Sequence, residues 1–291
     1  MRYELPQVEG VEHRFIDANG LRVHVAEAGS SDSTEPPVLL LHGWPQHWYM
    51  WCRVIGALRD ERRLLAPDLR GFGWSEAPGH GYDGETFAAD QIALLDALGI
   101  ERAFIAGHDW GGWTAILLGL LHPGRLERLM AFNAPHPWAR ITPRLIMEGW
   151  RGWYTWMIAT PGLGPQLSRQ GWVARTILTR GNVGDPFTQE EIEGYVGSFR
   201  ERSRALAVSR LYRHYQRVFR EAVRGKWRDH RLTVPTRIVF GERDRYVSPK
   251  LLPGFEPYAE DMKVELVPDS GHFIVDEKPD LVVARLREFL R

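Results

Sequence analysis

The sequence lacks the features by which disulfide-rich, membrane-spanning and nucleic-acid-binding chains are first recognised. Its single cysteine, Cys52, cannot form an internal disulfide, which favours a reducing compartment. No segment approaches the roughly 20 consecutive apolar residues of a membrane-spanning helix, and the first residues contain no apolar core of signal-peptide length. The 37 basic and 37 acidic residues leave a formal net charge of zero. We therefore expect a cytoplasmic protein that has neither a membrane nor a nucleic acid as a partner.

An excess of positive charge is concentrated in one stretch, residues 200–231, which contains 11 basic and three acidic side chains. A nucleic-acid-binding face is one interpretation of this stretch. Because the whole chain is neutral and no known nucleic-acid-binding motif is present, we favour a second interpretation. In that interpretation, the positive charges lie on the solvated outer face of a helix.

Continuous apolar runs are the main pattern in a chain that is 44% hydrophobic. Such runs are typical of strands that are covered on both faces, as in a parallel sheet between helices. They occur at Pro37–Leu41, Leu64–Ala66, Phe104–Ala106, Leu129–Phe132, Ile238–Phe240 and Val264–Val267. Asn19-Gly20 predicts a tight turn in a hairpin over residues 13–28, and helical patterns cover residues 87–98 and 280–291. A hairpin followed by alternating strands and helices predicts an α/β fold.

The alternation of strands and helices stops between residues 136 and 232. This stretch is rich in Trp, Tyr and Arg, and Thr188-Gln189-Glu190-Glu191 predicts a capping box at the start of one helix. We interpret residues 136–232 as a helical cap, or lid, inserted into a core formed by residues 1–135 and 233–291. A cap above the carboxyl ends of the strands would cover the site and exclude water.

The residue that decides the chemistry is Asp109. Gly107-His108-Asp109-Trp110-Gly111-Gly112 follows an apolar run and precedes a helical one, which predicts a strand, a sharp turn and a helix. This is the nucleophile elbow in which a hydrolase usually has serine. A carboxylate is ionised at neutral pH without help. It suits attack on saturated carbon bearing a leaving group, which leaves an alkyl ester on the protein.

Hydrolysis of such an ester requires a base for water and a group that orients the base. Gly241-Glu242-Arg243-Asp244 and Ser270-Gly271-His272-Phe273 both follow predicted strands, in the order nucleophile, acid, histidine. His272 is the candidate base because its ordinary pKa is near neutrality, and Asp244 would fix its tautomer. Glu242 is the alternative acid. Asn133, which follows the sixth strand, is not a carboxylate and cannot replace either.

The loop after the third strand and the elbow predict an oxyanion hole. The backbone N–H of Trp110 lies at the start of a helix, where unpaired donors accumulate. The second donor is most simply the backbone N–H of Trp44, in His42-Gly43-Trp44-Pro45. Each donor of this kind contributes about 3–4 kcal/mol to the stabilisation of a tetrahedral intermediate. We expect His42 to hold this loop rather than to take part in catalysis.

These motifs resemble those of the α/β-hydrolase superfamily over nearly the whole chain and, within it, those of the epoxide hydrolases. Residues 42–45 are similar to that family's oxyanion-hole motif, residues 107–112 to its elbow with an aspartate nucleophile, and residues 241–244 and 270–273 to its acid and base loops. The resemblance implies an α/β-hydrolase fold, which is a mostly parallel eight-stranded sheet with an inserted helical cap.

Haloalkane dehalogenases have a similar elbow, in which Trp also follows the aspartate. They usually carry Asn or Glu after the His-Gly pair, and an Asn there helps to bind the departing halide, whereas this chain has Trp44. Fluoroacetate dehalogenases have Arg at the position of Trp110. Both differences favour the resemblance to epoxide hydrolases.

Epoxide hydrolases carry two cap tyrosines whose hydroxyls bind the epoxide oxygen. Tyr154, ahead of Pro161-Gly162, resembles the first, and Tyr212 resembles the second. A phenol with an ordinary pKa near 10 stays protonated at neutral pH and can donate to a developing alkoxide. Tyr215, three positions after Tyr212, and Tyr195 remain alternatives for the second donor.

The resemblance implies a cofactor-independent and metal-independent epoxide hydrolase that converts epoxides into vicinal diols through an aspartyl ester. The expected partners are a small apolar epoxide and water, and the chain is compatible with a homodimer. We expect Phe273, Trp138 and Trp150 to contact the substrate in an aromatic pocket. Two alternatives remain, a haloalkane dehalogenase and a non-catalytic receptor of the same fold that binds a small ligand.

Overall fold

The computed structural model describes residues 4–31, 34–140 and 142–291. Residues 1–3, which were part of the argument against a signal peptide, lie outside the described residues. Within the described part, none of the helices combines the length and the apolar character needed to cross a lipid bilayer.

One eight-stranded sheet forms the centre of the protein, with the strand order β1-β2-β4-β3-β5-β6-β7-β8. Strand β2 is antiparallel to both β1 and β4, and every other neighbouring pair is parallel. The strands are β1 Val11–Ala18, β2 Leu21–Ala28, β3 Val38–Leu41, β4 Leu64–Pro67, β5 Ala103–His108, β6 Leu126–Phe132, β7 Thr236–Gly241 and β8 Met262–Val267. The α/β fold with a mostly parallel eight-stranded sheet is therefore confirmed.

Burial and turn chemistry explain why these segments form strands. Strands β3, β4 and β5 are buried at every residue, as their continuous apolar runs predict. The hairpin β1–β2 turns at Asn19 and Gly20, whose φ angles are 52° and 66°. Two successive residues with positive φ form the type of turn that matches the right-handed twist of the strands.

Helices outside the stretch between β6 and β7 cover the sheet. They are α1 Cys52–Leu58, α2 Gly84–Ala97, α3 Trp110–Leu121, α10 Ile274–Glu277 and α11 Pro279–Leu290. Helix α2 begins three residues before the predicted residue 87, because the Asp83 carboxylate caps it by accepting from the Thr86 backbone N–H at 2.8 Å. Short 3-10 helices occupy Trp48–Trp51, Pro123–Arg125, Gly149–Gly152, Ser198–Arg200 and Pro249–Leu251.

The described chain between β6 and β7 is helical, in agreement with its sequence pattern. Its helices are α4 Pro143–Met147, α5 Trp153–Ala159, α6 Leu163–Gln170, α7 Trp172–Arg180, α8 Gln189–Gly197 and α9 Arg202–Val223. Helix α8 starts with the predicted capping box, in which the Thr188 hydroxyl and the Glu191 carboxylate each bind the other residue's backbone N–H. Helix α9 packs against α5 and α6. This packing brings Tyr154 of α5 and Tyr212 of α9 together, with 5.7 Å between their ring centroids.

Candidate active site

Asp109 lies at the sharp turn between β5 and α3. Its φ and ψ angles are 50° and −114°, a backbone conformation that non-glycine residues rarely adopt. Side chains on the neighbouring glycines would prevent this turn. A Cβ atom at Gly107 would lie 2.3 Å from the Gly111 carbonyl oxygen, and one at Gly111 would lie 2.2 Å from the Leu41 carbonyl oxygen. The two glycines therefore allow the strained turn that projects Asp109 from the carboxyl end of β5.

Backbone donors contact the Asp109 carboxylate from two elements. The Trp44 N–H donates to Oδ2 at 3.1 Å, and the Trp110 N–H, at the start of α3, lies close enough to the carboxylate to lower its pKa. Gly43 is needed for this approach, because a Cβ atom there would lie 2.5 Å from the Asp109 Cβ atom. The structure thus brings both predicted oxyanion-hole donors to the residue that they are expected to serve.

Burial raises the pKa of Asp109 to about 6, although His272 and the two backbone donors each act to lower it. The side chain retains 18% of its exposed surface, which faces the cavity. With a pKa near 6, the carboxyl group is mostly ionised at neutral pH. A carboxylate that has lost most of its hydration while keeping its charge is well suited to act as a nucleophile.

His272 lies between the two carboxylates. Its Nδ1 atom is 2.8 Å from Asp244 Oδ2, and its Nε2 atom is 4.0 Å from Asp109 Oδ1. Burial alone would lower the pKa of His272, but the charge and hydrogen bond of Asp244, together with the charge of Asp109, raise it to about 9. In the free protein the imidazole is therefore protonated at neutral pH, next to two negative charges.

Asp244 is buried and is held by donors that leave it ionised. Its Oδ1 atom accepts from the backbone N–H groups of Tyr246 at 2.8 Å and Val247 at 2.9 Å. Its Oδ2 atom accepts from the Asn133 side-chain amide at 2.7 Å in addition to binding His272. Burial acts to raise the pKa of Asp244, but His272 and these donors lower it below its ordinary value. Glu242, the alternative acid, is exposed.

Four tyrosines share a small cavity with Asp109. The cavity has a volume of about 140 Å³ and its described lining includes Asp109, Trp110, Tyr154, Tyr212, Tyr215 and Tyr246. Burial raises the pKa values of Tyr154 and Tyr212 well above 10, and the Asp109 charge raises them further. Both phenols are therefore protonated donors at neutral pH.

Aromatic packing fixes the positions of the two predicted donors. The Tyr154 ring stacks on Trp44 with an interplanar angle of 9°, and the Tyr212 ring meets the edges of Trp44 and Trp110. The hydroxyls of Tyr154 and Tyr212 also interact with each other. Tyr215 is 37% exposed, whereas Tyr212 is buried. Tyr195, the other alternative, packs on His47 and Phe187 and lies outside the described lining of the cavity.

The three aromatic residues expected to contact substrate lie outside the described lining of this cavity. Trp150 is 70% exposed. Trp138 is buried, stacks on Tyr258, and donates its indole N–H to the Trp227 carbonyl oxygen at 2.8 Å. Phe273 is fully buried beneath the site, against His272 and Phe187. The structure does not bring these side chains together with Asp109.

Other polar residues have structural roles around the site. His42 accepts the Leu69 backbone N–H at its Nε2 atom, at 2.9 Å, and so holds the loop that carries Trp44. A much larger groove of about 760 Å³ lies elsewhere, beside β7, β8 and α11, and is lined mainly by charged side chains. The groove contains neither Asp109 nor His272. The smaller cavity, which contains Asp109, is therefore the candidate active site. The described residues contain no group of three or more His, Cys, Asp or Glu side chains arranged to hold a metal ion.

Two residues that contact the candidate acid are not indicated by the sequence motifs. Asn133 is not a carboxylate, but its side-chain amide donates to Asp244, and its backbone has a positive φ of 45°. Tyr246 was not considered, although its ring lies 5.6 Å from both the His272 and Tyr154 rings. The sequence does contain one signal for Asn133, which is its position directly after a strand. Asn adopts positive φ more readily than most residues, so an Asn there indicates a sharp turn.

Comparisons with known proteins identify the family. Residues 36–279 match the α/β-hydrolase fold family. The AB hydrolase superfamily protein YfhM of Bacillus subtilis (strain 168) is 31% identical, over 98% of this chain and 99% of its own. The soluble epoxide hydrolase of Corynebacterium sp. (strain C12) is 30% identical, over 96% of this chain and 97% of its own. The solved structure of the epoxide hydrolase CorEH without ligand is 28% identical, covers 96% of this chain and 98% of its own, and has a TM-score of 0.81. The chain therefore belongs to the α/β-hydrolase family, and its relatives include epoxide hydrolases.

Proposed function

We propose that the protein is an epoxide hydrolase that opens its substrate through a covalent ester on Asp109. The observation that carries the proposal is that one cavity contains both a desolvated carboxylate, Asp109, and the phenols Tyr154 and Tyr212, of which Tyr212 is buried and Tyr154 partly buried. An epoxide must be attacked at carbon while its oxygen receives a proton, and a carboxylate facing two phenols supplies both functions. The similarity to an epoxide hydrolase at 30% identity supports the same chemistry.

We assign residues 136–232 to a cap domain and residues 1–135 and 233–291 to the core. In this arrangement the core contributes Asp109, Asp244 and His272, and the cap contributes Tyr154 and Tyr212. A small cavity between them admits an apolar epoxide and excludes bulk water, which strengthens every electrostatic interaction inside. Water is the second substrate, and the proposed reaction requires no metal or cofactor.

In the first step, an Asp109 carboxylate oxygen attacks one epoxide carbon and the bond from that carbon to the ring oxygen breaks. Tyr154 and Tyr212 hydrogen-bond the ring oxygen, and one of them gives it a proton. The products are a hydroxyalkyl ester on Asp109 and one tyrosinate. Both phenols have raised pKa values, so proton donation occurs only as the alkoxide, a stronger base, develops.

The proton on His272 then completes the first step. Esterification removes the Asp109 charge, which is one of the causes of the raised pKa of His272. The imidazolium therefore becomes a stronger acid at the moment when a tyrosinate needs a proton. The water molecule that enters as the second substrate relays the proton to the tyrosinate, which restores the phenol and leaves His272 neutral. The overall charge of the site is unchanged, and His272 is now able to act as a base.

In the second step, neutral His272 takes a proton from water, and the resulting hydroxide attacks the carbonyl carbon of the ester. The backbone N–H groups of Trp44 and Trp110 stabilise the oxyanion of the tetrahedral intermediate. Asp244 stabilises the imidazolium that forms. The intermediate then breaks its bond to the diol oxygen, which takes the proton from His272. Asp109 is left as a carboxylic acid and passes its proton to neutral His272. The diol leaves, and the site returns to a carboxylate beside an imidazolium.

The proposal is tested with a panel of apolar epoxides that includes styrene oxide, with chromatographic detection of the diols. The wild type should form diol from at least one epoxide, and Asp109→Ala should form none above the uncatalysed rate. Release of halide from a panel of bromoalkanes, without diol from any epoxide, would instead indicate a dehalogenase. Retention of an epoxide without product in the wild type would indicate a binding protein.

A further inference from the structure

Glu277, the last residue of α10, binds the loop that carries His272 from both sides. Its Oε2 atom accepts from the Gly271 backbone N–H at 2.6 Å and from the Ser270 hydroxyl at 3.2 Å. Its Oε1 atom accepts from the Phe273 backbone N–H at 3.1 Å. The donors at 271 and 273 are the two backbone neighbours of His272. One carboxylate therefore fixes the peptide units on either side of the candidate base.

The same carboxylate joins this loop to the chain between α7 and α8. The His272 N–H donates to the Gly181 carbonyl oxygen at 2.9 Å, and the Val183 N–H lies close enough to the Glu277 carboxyl group to lower its pKa. The contact is close, because a Cβ atom at Gly271 would lie 2.4 Å from the Gly181 carbonyl oxygen. The His272 loop is thus held between the core and a segment inserted between β6 and β7.

Donor chemistry indicates that Glu277 binds this loop as a carboxylate. Burial raises the pKa of Glu277, and its hydrogen bonds oppose that effect. Every described partner named above is an N–H or O–H group, and only an ionised carboxyl group offers two oxygens that accept without donating. Backbone N–H groups left without an acceptor in a partly buried site destabilise the fold. Glu277 therefore supplies the acceptors for the backbone N–H groups on either side of His272.

We propose that Glu277 is a positioning residue for His272 and that it controls the second step of the reaction more than the first. The proposal rests on the function proposed above, in which His272 activates water only after the ester has formed. Asp109 receives its own support from Trp44, Trp110 and the elbow, none of which is a described contact of Glu277. Loss of Glu277 should therefore leave ester formation largely intact and misplace the base.

The kinetic test follows the two steps separately in Glu277→Ala. Quenched-flow mass spectrometry, with an epoxide that the wild type hydrolyses, gives the rate of ester formation and the rate of its decay. We expect ester formation within about twofold of the wild type and ester decay slowed about 10-fold or more, since a shift of about 1 Å in a reacting group can cost 10²-fold. The ester should then accumulate during turnover.

Two further variants make this test independent of folding. Glu277→Gln keeps the shape of the side chain but offers only one accepting oxygen, so it should slow ester decay less than Glu277→Ala does. If Glu277→Ala does not fold, Glu277→Gln replaces it in the kinetic test. Asp276→Asn is the matched control. It alters the neighbouring buried carboxyl group, whose Oδ2 atom accepts from the Gln46 side chain at 2.9 Å rather than from the His272 loop. Asp276→Asn should leave the ratio of the rate of ester formation to the rate of ester decay unchanged.

Hydrogen–deuterium exchange gives a readout that needs no substrate. Peptides containing residues 271–273 should exchange at least about 10-fold faster in Glu277→Ala than in the wild type, and at the wild-type rate in Asp276→Asn. Equal slowing of both chemical steps, or unchanged protection of residues 271–273, would overturn the positioning role. If the wild type forms no ester while Glu277→Ala loses this protection, the proposed function fails and the positioning role stands.

Discussion

The two sides of the cavity hold their functional groups by different means. On the sheet side, Asp109 and Asp244 are held by backbone N–H groups, and His272 is held by the Asp244 carboxylate. On the helical side, Tyr154 and Tyr212 are positioned by ring packing against Trp44 and against each other. The charged groups are therefore fixed by hydrogen bonds, many of them from the backbone, whereas the rings of the proton donors are fixed by aromatic packing. Substitutions on the two sides should differ accordingly in the size of their effects.

The largest effect is expected on the sheet side, from Asp109→Ala. Without a nucleophile no ester can form, and turnover should fall at least about 10⁴-fold, as losses of catalytic nucleophiles do. Diol formation under single-turnover conditions measures this loss, and a thermal unfolding curve serves as the control. If the variant retained more than a tenth of the activity, the role of Asp109 as nucleophile would be excluded.

On the helical side, we expect smaller and separable effects. Tyr154→Phe and Tyr212→Phe should each lower the rate of ester formation about 10²-fold, within the range for general acids, because the remaining phenol still donates. Tyr215→Phe is the matched control and should change that rate less than about threefold. Single-turnover mass spectrometry measures the ester. A larger loss in the rate of ester formation for Tyr215→Phe than for Tyr212→Phe would show that Tyr215, and not Tyr212, is the second donor.

The pH dependence tests the effect of burial on the sheet side. Because burial raises the pKa of Asp109 to about 6, the carboxylate is lost as the pH falls through that value. The kcat/KM profile should therefore decline below pH 6, about tenfold per pH unit, while the protein remains folded. Initial rates between pH 4.5 and 8, with circular dichroism at each pH, measure this decline. An acid limb near pH 4 would show that Asp109 is solvated as an ordinary aspartate.

The smallest effect is expected from Trp150→Ala. This side chain is 70% exposed and lies outside the described lining of the cavity, so kcat/KM should change less than about twofold. Initial rates of diol formation over a range of concentrations of a bulky aromatic epoxide measure kcat/KM. A change of more than tenfold would restore the sequence-based expectation that Trp150 contacts the substrate.

The same contrast explains what the sequence could predict. The elbow, the acid loop and the base loop are short motifs whose geometry is set by adjacent residues, so Asp109, Asp244 and His272 could be selected from the sequence. The contacts of Tyr154 and Tyr212 depend on how α5 and α9 pack, which no local pattern specifies, and they required a family resemblance.

Polar contacts between distant segments were harder to predict. Asn133 was judged by its residue type, but its role follows from a hydrogen bond to Asp244, 111 positions away. Trp138 was expected in the pocket because tryptophans often line such sites, but its indole is satisfied by the Trp227 carbonyl oxygen. Residue type indicates which chemistry is available, and only the fold determines which partner each group reaches.

The most direct test of the central claim is the mass of His272→Gln after incubation with an epoxide that the wild type hydrolyses. The variant should form the ester but lack the base that removes it. Its intact mass is predicted to rise by the mass of one substrate molecule and to remain raised, with the added mass on the peptide that contains Asp109. An unmodified protein, or an adduct on any other residue, would contradict the account.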